Sequence, residues 1–163
     1  MAGTVQILGV KEVMLNLNKE LSKIVGKSMR GLIRSAIIIR RDMDKTPPRV
    51  PVMDGNLRAS WFVVTATGPE AQAVTTAFGG GKFEGPDASD LAADHEMVQG
   101  KVQSEIRGRP IVGIGFSANY AAFVHEMKGA KFKRSGAGAG FFSSAVDRNK
   151  GVIVKTIQAE ARL

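Results

Sequence analysis

The sequence predicts an α+β domain in which an antiparallel sheet packs against a long N-terminal amphipathic helix and a C-terminal helix. Three observations lead to this prediction. Apolar residues recur at helical spacing from residue 10 to residue 43, two short apolar runs have the composition of strands, and the helical period returns after residue 141. With 163 residues the chain is long enough to bury a core, so we expect a single domain over 1–163.

Residues 4–8 alternate like a short strand, and Gly9 ends it. The helical stripe that follows contains Gly26. Because glycine costs about 1 kcal/mol relative to alanine inside a helix, the pattern allows one long helix or two with a kink there. Pro47 and Pro48 end the helix, since proline lacks the amide donor. The stripe consists of Val10, Val13, Met14, Leu17, Leu21, Ile24, Val25, Met29, Leu32, Ile33, Ala36, Ile37 and Met43.

Basic residues follow one flank of the same helix at spacings of three, four and seven. They are Lys23, Lys27, Arg30, Arg34 and Arg41. Two interpretations stay open at this point: a solvated face opposite the core, and a docking surface for an acidic partner.

The middle of the chain predicts a hairpin. Asp54 can cap a short helical turn, residues 61–67 have the composition of a strand, residues 68–70 form a turn, and residues 73–78 return as its partner. Residues 111–116 form the next strand, in which Gly113 and Gly115 share the face of Ile111. Another backbone or a large ring is expected to pack there.

Residues 79–110 are expected to form an irregular acidic insertion, with a helix that Ser89 caps and that ends at Gly100. Its carboxylates are Glu84, Asp87, Asp90, Asp94 and Glu96. A short helix is expected at residues 120–127. Residues 128–140 then form a mobile, basic, glycine-rich arm that carries Lys128, Lys131, Lys133 and Arg134, before the C-terminal helix of residues 141–163.

The net charge of +8 is unevenly distributed. Residues 1–50 hold ten basic and four acidic side chains, residues 51–100 hold two and seven, and residues 101–163 hold eleven and four. A basic chain with an acidic middle can attract a polyanion such as nucleic acid, can attract copies of itself, or can simply be solvated.

Chemical motifs point away from catalysis. The chain has no cysteine, and neither of its two histidines, His95 and His125, has a second histidine four residues later, so structural roles are expected for both and no metal site. The glycines at 113 and 115 lack the acidic residue that a dinucleotide site needs further on. We therefore expect no enzyme and no cofactor. No apolar run approaches the roughly 20 residues of a membrane span, so we expect a soluble protein made inside the cell, with no membrane partner.

Three short patches of the sequence match motifs that occur together in one protein family. Residues Pro51, Val52, Asp54, Gly55, Leu57, Arg58 and Ser60 match a P-V-D-T-G-x-L-R-x-S turn; Tyr120, Ala121, Val124 and Glu126 match Tyr-Ala-x-x-Val-Glu; and Phe141 or Phe142 with Ala145 matches a P-F-L-x-x-A helix start. In this order, after a basic amphipathic helix, they resemble the head-to-tail joining proteins of tailed bacteriophages, known as tail-completion, neck or minor tail components. The chain departs from the pattern by inserting Met53, by lacking a threonine before Gly55, by placing His125 before Glu126, and by having Gly140 in place of proline.

The resemblance implies a structural virion protein of the neck or tail, assembled in the host cytoplasm, that joins or completes the head–tail interface as part of an oligomeric ring. It implies six-fold order, with the protein itself and other neck and tail proteins as partners. Two alternatives remain: a tail-terminator ring that caps the tail tube, and a basic protein that contacts genomic DNA without sequence specificity.

Within this interpretation, Leu57 anchors the turn and Arg58 is suited to a bidentate contact with a carboxylate. Glu126 is a candidate partner for Arg58, which could also face water. A ring needs contacts between two different patches of neighbouring subunits. We expect the acidic stretch from Glu84 to Glu96 of one subunit to meet the basic arm from Lys128 to Arg134 of the next.

Overall fold

A computed structural model describes residues 10–52, 56–70 and 86–162 of the protein. The elements are α1 (Val10–Lys45), α2 (Asn56–Ala59), β1 (Trp61–Thr65), β2 (Gly68–Pro69), α3 (Pro86–Ile106), β3 (Gly113–Phe116), α4 (Ala121–Glu126) and α5 (Phe141–Ala161). The predicted α+β class is confirmed. Outside the described residues lie the predicted strand at 4–8, the hairpin partner at 73–78, Asp54, Gly55, Glu84 and, within α3, the side chains of Asp87 and Asp90.

Helix α1 is one continuous helix of 36 residues, about 54 Å long, and it passes through Gly26 without a break. It ends ahead of Pro47, as predicted. Helix α5 runs antiparallel beside its second half, since Arg148 contacts Asp42 near one end and Lys27 Nζ donates to the Arg162 carbonyl, 2.9 Å away, at the other. Residues 10–26 of α1 therefore extend past the end of α5, over roughly 25 Å.

The sheet has the strand order β2-β1-β3, with both pairings antiparallel. Strand β1 is buried on both sides. Trp61 and Val63 join the core formed with α1 and α5, whereas Phe62 and Val64 pack against α3. The sheet thus lies between the α1–α5 pair and α3.

The predicted turn at residues 68–70 is wrong. Gly68 and Pro69 pair with Thr65 and Val64, so the chain reverses at Ala66 and Thr67. Gly68 has φ of 140°, in the region that favours glycine, and Thr65 Oγ1 donates to the Gly68 carbonyl at 3.0 Å.

The prediction of an irregular insertion is also wrong where the structure describes it. Helix α3 has 21 residues, contains Ser89 inside rather than at its cap, and continues six residues past Gly100. The helix persists because Val98, Val102 and Ile106 pack on the sheet. Tertiary burial outweighs the cost of one internal glycine.

Helix α3 and the Phe62 ring approach strand β3 closely, because Gly113 and Gly115 have no side chains. A Cβ on Gly113 would lie 2.5 Å from Val102 Cγ1, and one on Gly115 would lie 3.1 Å from the Phe62 ring. The prediction that a large ring packs against these glycines is confirmed for Gly115.

The prediction of a free basic arm fails for its second half. The Arg49 amide donates to the Gly136 carbonyl at 2.7 Å, and the Gly138 amide donates to the Arg49 carbonyl at 3.3 Å. Arg134 donates to the Val50 and Asp44 carbonyls at 2.9 and 2.7 Å. The last carbonyls of a helix lack intrahelical donors, and Arg134 supplies one to the end of α1.

The close contact of α1 with α5 supports a first testable prediction. A Cβ on Gly31 would lie 2.8 Å from Ile157 Cα, a backbone atom, whereas one on Gly26 would have no atom of the described residues within 4 Å. We expect Gly31→Ala to lower the free energy of unfolding by about 1–3 kcal/mol through overpacking. Gly26→Ala, in the same helix, should raise it by up to about 1 kcal/mol. Urea denaturation of both variants measures this, and equal shifts would contradict the contact.

Candidate assembly surfaces

The three motif patches meet in the core. Leu57 from the first and Phe141 with Ala145 from the third are buried in the cluster that contains Trp61, and Val124 from the second is partly buried and packs against it. Of the two aromatic residues that start α5, Phe141 is the buried anchor, with 1% of its surface exposed. These four motif residues therefore pack the elements together, whereas Arg58, Tyr120 and Glu126 are exposed.

Phe141 and Phe142 have different neighbours. The Phe141 ring lies edge-on to Phe116, with centroids 5.6 Å apart, and to His125 at 4.8 Å. Phe142 is half-buried and lies 6.2 Å from the Trp61 ring. Together these rings connect β1, β3, α4 and the first turn of α5.

The replacement of the motif proline by Gly140 has a structural reason. Gly140 has φ of 71°, which proline cannot adopt, and its amide donates to the His125 carbonyl at 2.7 Å. The glycine lets the arm turn sharply into α5 while bonded to the end of α4.

A groove of about 260 Å³ opens between β3, α4 and the start of α5. It is lined by Gly115, Phe116, Ala121, Ala122, His125 and Glu126, together with the two α5 rings. Phe123, on the same short helix, is exposed. The groove is mainly apolar with one carboxylate at its edge, so it could hold an apolar side chain of a partner.

Arg58 makes the predicted bidentate contact with a carboxylate, but the partner is Asp44 and not Glu126. Its Nε and Nη2 donate to the two carboxylate oxygens of Asp44 at 3.0 and 3.1 Å, and its side chain is 49% exposed. Asp44 occupies the last turn of α1, which lies next to α2. Arg40 Nη1 and Arg134 Nη1 lie 3.8 and 3.6 Å from the same carboxylate, so three guanidinium groups surround one acid.

Arg40 is the buried member of this arginine cluster. Its Nη2 donates to the Arg58 carbonyl at 2.9 Å, while Nε and Nη1 have no hydrogen-bond partner among the residues that the structure describes. Its guanidinium carbon lies 5.9 Å from the Trp61 ring centroid. Burial lowers the pKa of Arg40, Asp44 opposes this, and Arg58 and Arg134 add to the lowering. Asp44 is therefore the counter-charge that the buried cation needs.

Three residues of the basic flank of α1 contact the end of α5, but Arg30 and Arg34 remain more than half exposed, so a docking role for this flank stays a prediction. Arg30 and Arg34 contact Glu160, and Lys27 donates to the Arg162 carbonyl, all at the C-terminal end of α5. Cations are favourable at a helix C-terminus, because the carbonyls there carry partial negative charge. Arg41 stays exposed.

The first half of α1 presents an exposed apolar stripe, which consists of Met14, Leu17, Leu21 and Val25. Leu17 is 66% exposed. The stripe lies on the same side of the helix as the buried Ala36 and Ile39, which follow Val25 and Leu21 after about three and five turns. The face that forms the core beside α5 thus continues in solvent where α5 ends.

The predicted inter-subunit residues have mixed positions. Asp94 and Glu96 are exposed on α3, and Lys128, Lys131 and Lys133 are exposed on the arm. Arg134 is engaged within its own subunit, so it is not a contact residue of a free arm. The expected contact between the remaining acidic and basic residues stays a prediction.

A polar network connects α3 to the end of β3. His95 is buried, and its Nδ1 lies 2.7 Å from Ser117 Oγ while its Nε2 lies 2.5 Å from the side-chain amide nitrogen of Gln99. Burial lowers the pKa of His95, and Glu96 partly opposes this. The ring is thus a weak base, in contact with an amide where a catalytic histidine usually has a carboxylate. The arrangement fastens α3 to the sheet.

This histidine makes stability depend on pH. Because the pKa of His95 is lowered in the fold, the unfolded chain binds a proton first as the pH falls below the ordinary value of 6.5. The stability that the neutral His95 ring contributes to the fold is complete above pH 6.5. It is lost as the pH falls below that value, by at most about 1.4 kcal/mol per pH unit. An NMR titration of the two histidine rings, assigned with a His125→Gln variant, should place the midpoint of His95 below 6.5. A midpoint at or above 6.5 would contradict the burial effect.

In the ranges that the structure describes, no three histidine or carboxylate side chains come together as a metal ion would require. None of the helices in those ranges combines the length and apolar content needed to cross a bilayer. Comparison with protein-family models, curated proteins and solved structures finds no match. The resemblance to phage joining proteins therefore depends on the quoted motif residues.

Sequence reasoning missed Asp44, Arg40 and the contacts of His95. The spacing of Arg40 and Asp44, four residues apart on a helix, was an available signal for their pairing. Nothing in the sequence connects His95 with Ser117, because α3 and β3 meet only through the fold.

Proposed function

We propose that this protein is a structural component of the neck or tail of a tailed bacteriophage, where it joins or completes the head–tail interface as one subunit of an oligomeric ring. The observation that carries the proposal is the exposed apolar stripe on the first half of α1. A contiguous apolar face on a soluble subunit marks a surface for another protein. A subunit built for assembly needs such a surface.

The motif residues add support. Each patch that carries the resemblance contributes to one core cluster, with Leu57, Val124 and Phe141 as anchors. Motif residues that lie in the core preserve the fold. They are therefore what we expect in a family whose members share a fold and differ in their partners. The groove beside Phe141 provides a second surface, suited to a neighbouring neck or tail protein.

The test is the position of the protein in particles of a tailed phage that encodes it. We expect antibody-labelled electron micrographs to show it at the head–tail joint, and purified virions to contain it. Its presence on tails made without heads would favour the tail-terminator alternative. Absence from both virions and tails would overturn the proposal, and salt-sensitive retention of duplex DNA on a filter would then favour the DNA-contacting alternative.

A further inference from the structure

The exposed stripe of α1 has the spacing of a helix-pairing seam. Met14, Leu17, Leu21 and Val25 follow each other at intervals of three, four and four residues, which places them along one side of the helix. The described part of α5 ends beside Lys27. Within the described residues the seam extends past the end of α5, where a neighbouring molecule can reach it.

The charges around the other exposed apolar surfaces indicate which of them the seam could pack against. Outside α1, exposed large apolar side chains of the described residues lie on α3 (Met97), at Ile111, at Tyr120 just before α4, on α4 (Phe123) and on α5 (Val152 and Val154). Residues 86–106 of α3 carry five acidic groups and one basic group, whereas residues 141–161 of α5 carry three basic and two acidic groups and α4 leads into a basic arm. Residues 10–27 of α1 carry four basic and two acidic groups. Opposite charges steer α1 toward α3.

The outward face of α3 also has a suitable shape. Ala93, Met97, Gly100 and Ser104 are exposed and follow each other at intervals of four, three and four residues. Three of these four residues are small, so the leucines of another helix can approach the backbone closely around Met97, which is 66% exposed.

We propose that the first half of α1 of one copy packs along the outward face of α3 of a second copy. This rests on the ring proposed above and names its contact. Because the two surfaces differ, the contact is heterologous, and repeating it closes a ring or extends a filament. A contact of α1 with α1 would instead be two-fold and would end at a dimer.

The absence of cysteine from the chain allows a direct test. A thiol-specific cross-linker therefore reacts only at introduced cysteines, and the positions of Leu21 and Met97 are both exposed. We expect a Leu21→Cys, Met97→Cys double variant treated with a short bis-maleimide to give a ladder of covalent oligomers. A mixture of the two single variants should give dimers only. The matched control is Leu21→Cys with Val154→Cys, an exposed apolar position on α5, which should give no ladder.

Three outcomes overturn the contact: cross-linking of Leu21→Cys alone, a control ladder as strong as that of the Met97 variant, or no cross-link between chains. Light scattering on the untreated protein separates this failure from that of the ring. If light scattering shows an oligomer but no cross-link forms between positions 21 and 97, only the proposed contact is rejected and the ring proposal stands. A protein that stays monomeric at every concentration, and that is absent from virions, rejects both.

Discussion

Replacing Phe141 with alanine is expected to lower the free energy of unfolding by about 4 kcal/mol, in the range for loss of a fully buried aromatic ring. Phe141 is 1% exposed and has edge-on contacts with Phe116 and His125. Its removal leaves a cavity between β3, α4 and α5, because rings held by three separate elements cannot all collapse into the space. Chemical denaturation monitored by the fluorescence of Trp61, the single tryptophan, measures the change.

The control is Phe123→Ala. Phe123 has the same side chain but is 67% exposed, so its removal should change stability by no more than about 0.5 kcal/mol. If the two variants lost the same stability, Phe141 could not be the anchor of the third motif.

Asp44→Asn is expected to cost about 3 kcal/mol, at the low end for removing one partner of a buried ion pair. Asparagine keeps the shape of the side chain but leaves the guanidinium groups of Arg40, Arg58 and Arg134 without their shared counter-charge. Arg40 cannot turn to water, because its side chain is buried. Thermal or urea unfolding of the variant gives the loss.

Asp147→Asn is the matched control, since Asp147 pairs with Lys150 in an exposed contact on α5. Exposed pairs contribute at most about 1 kcal/mol, so this variant should remain close to the original protein. A loss for Asp44→Asn no larger than for the control would show that the arginine cluster does not depend on Asp44.

Much of the fold could be predicted because its signals are local. Pro47 and Pro48 end α1, and the start of α5 at Phe141 follows from the return of the helical period. The same reasoning failed for α3, where Gly100 and Ser89 suggested ends that are not there. Packing of Val102 and Ile106 on the sheet extends that helix, and such packing has no local signal.

The candidate surfaces were predictable only in part. The bidentate geometry of Arg58 follows from the shape of a guanidinium group, but its partner does not, because a long side chain reaches whichever carboxylate the fold brings near it. The fold brings Asp44, and it also engages Arg134, which the sequence placed in a free arm.

The sequence by itself determined the α+β class, the apolar stripe of α1 and the motif residues that anchor the core, since each depends on residue type and spacing. Only the tertiary structure decided how that stripe divides. Its period is the same in both halves of α1, but α5 ends beside Lys27, so Ala36 and Met43 are buried while Met14 and Leu17 remain exposed. Periodicity shows which side of a helix is apolar, whereas burial depends on how far the neighbouring helix reaches.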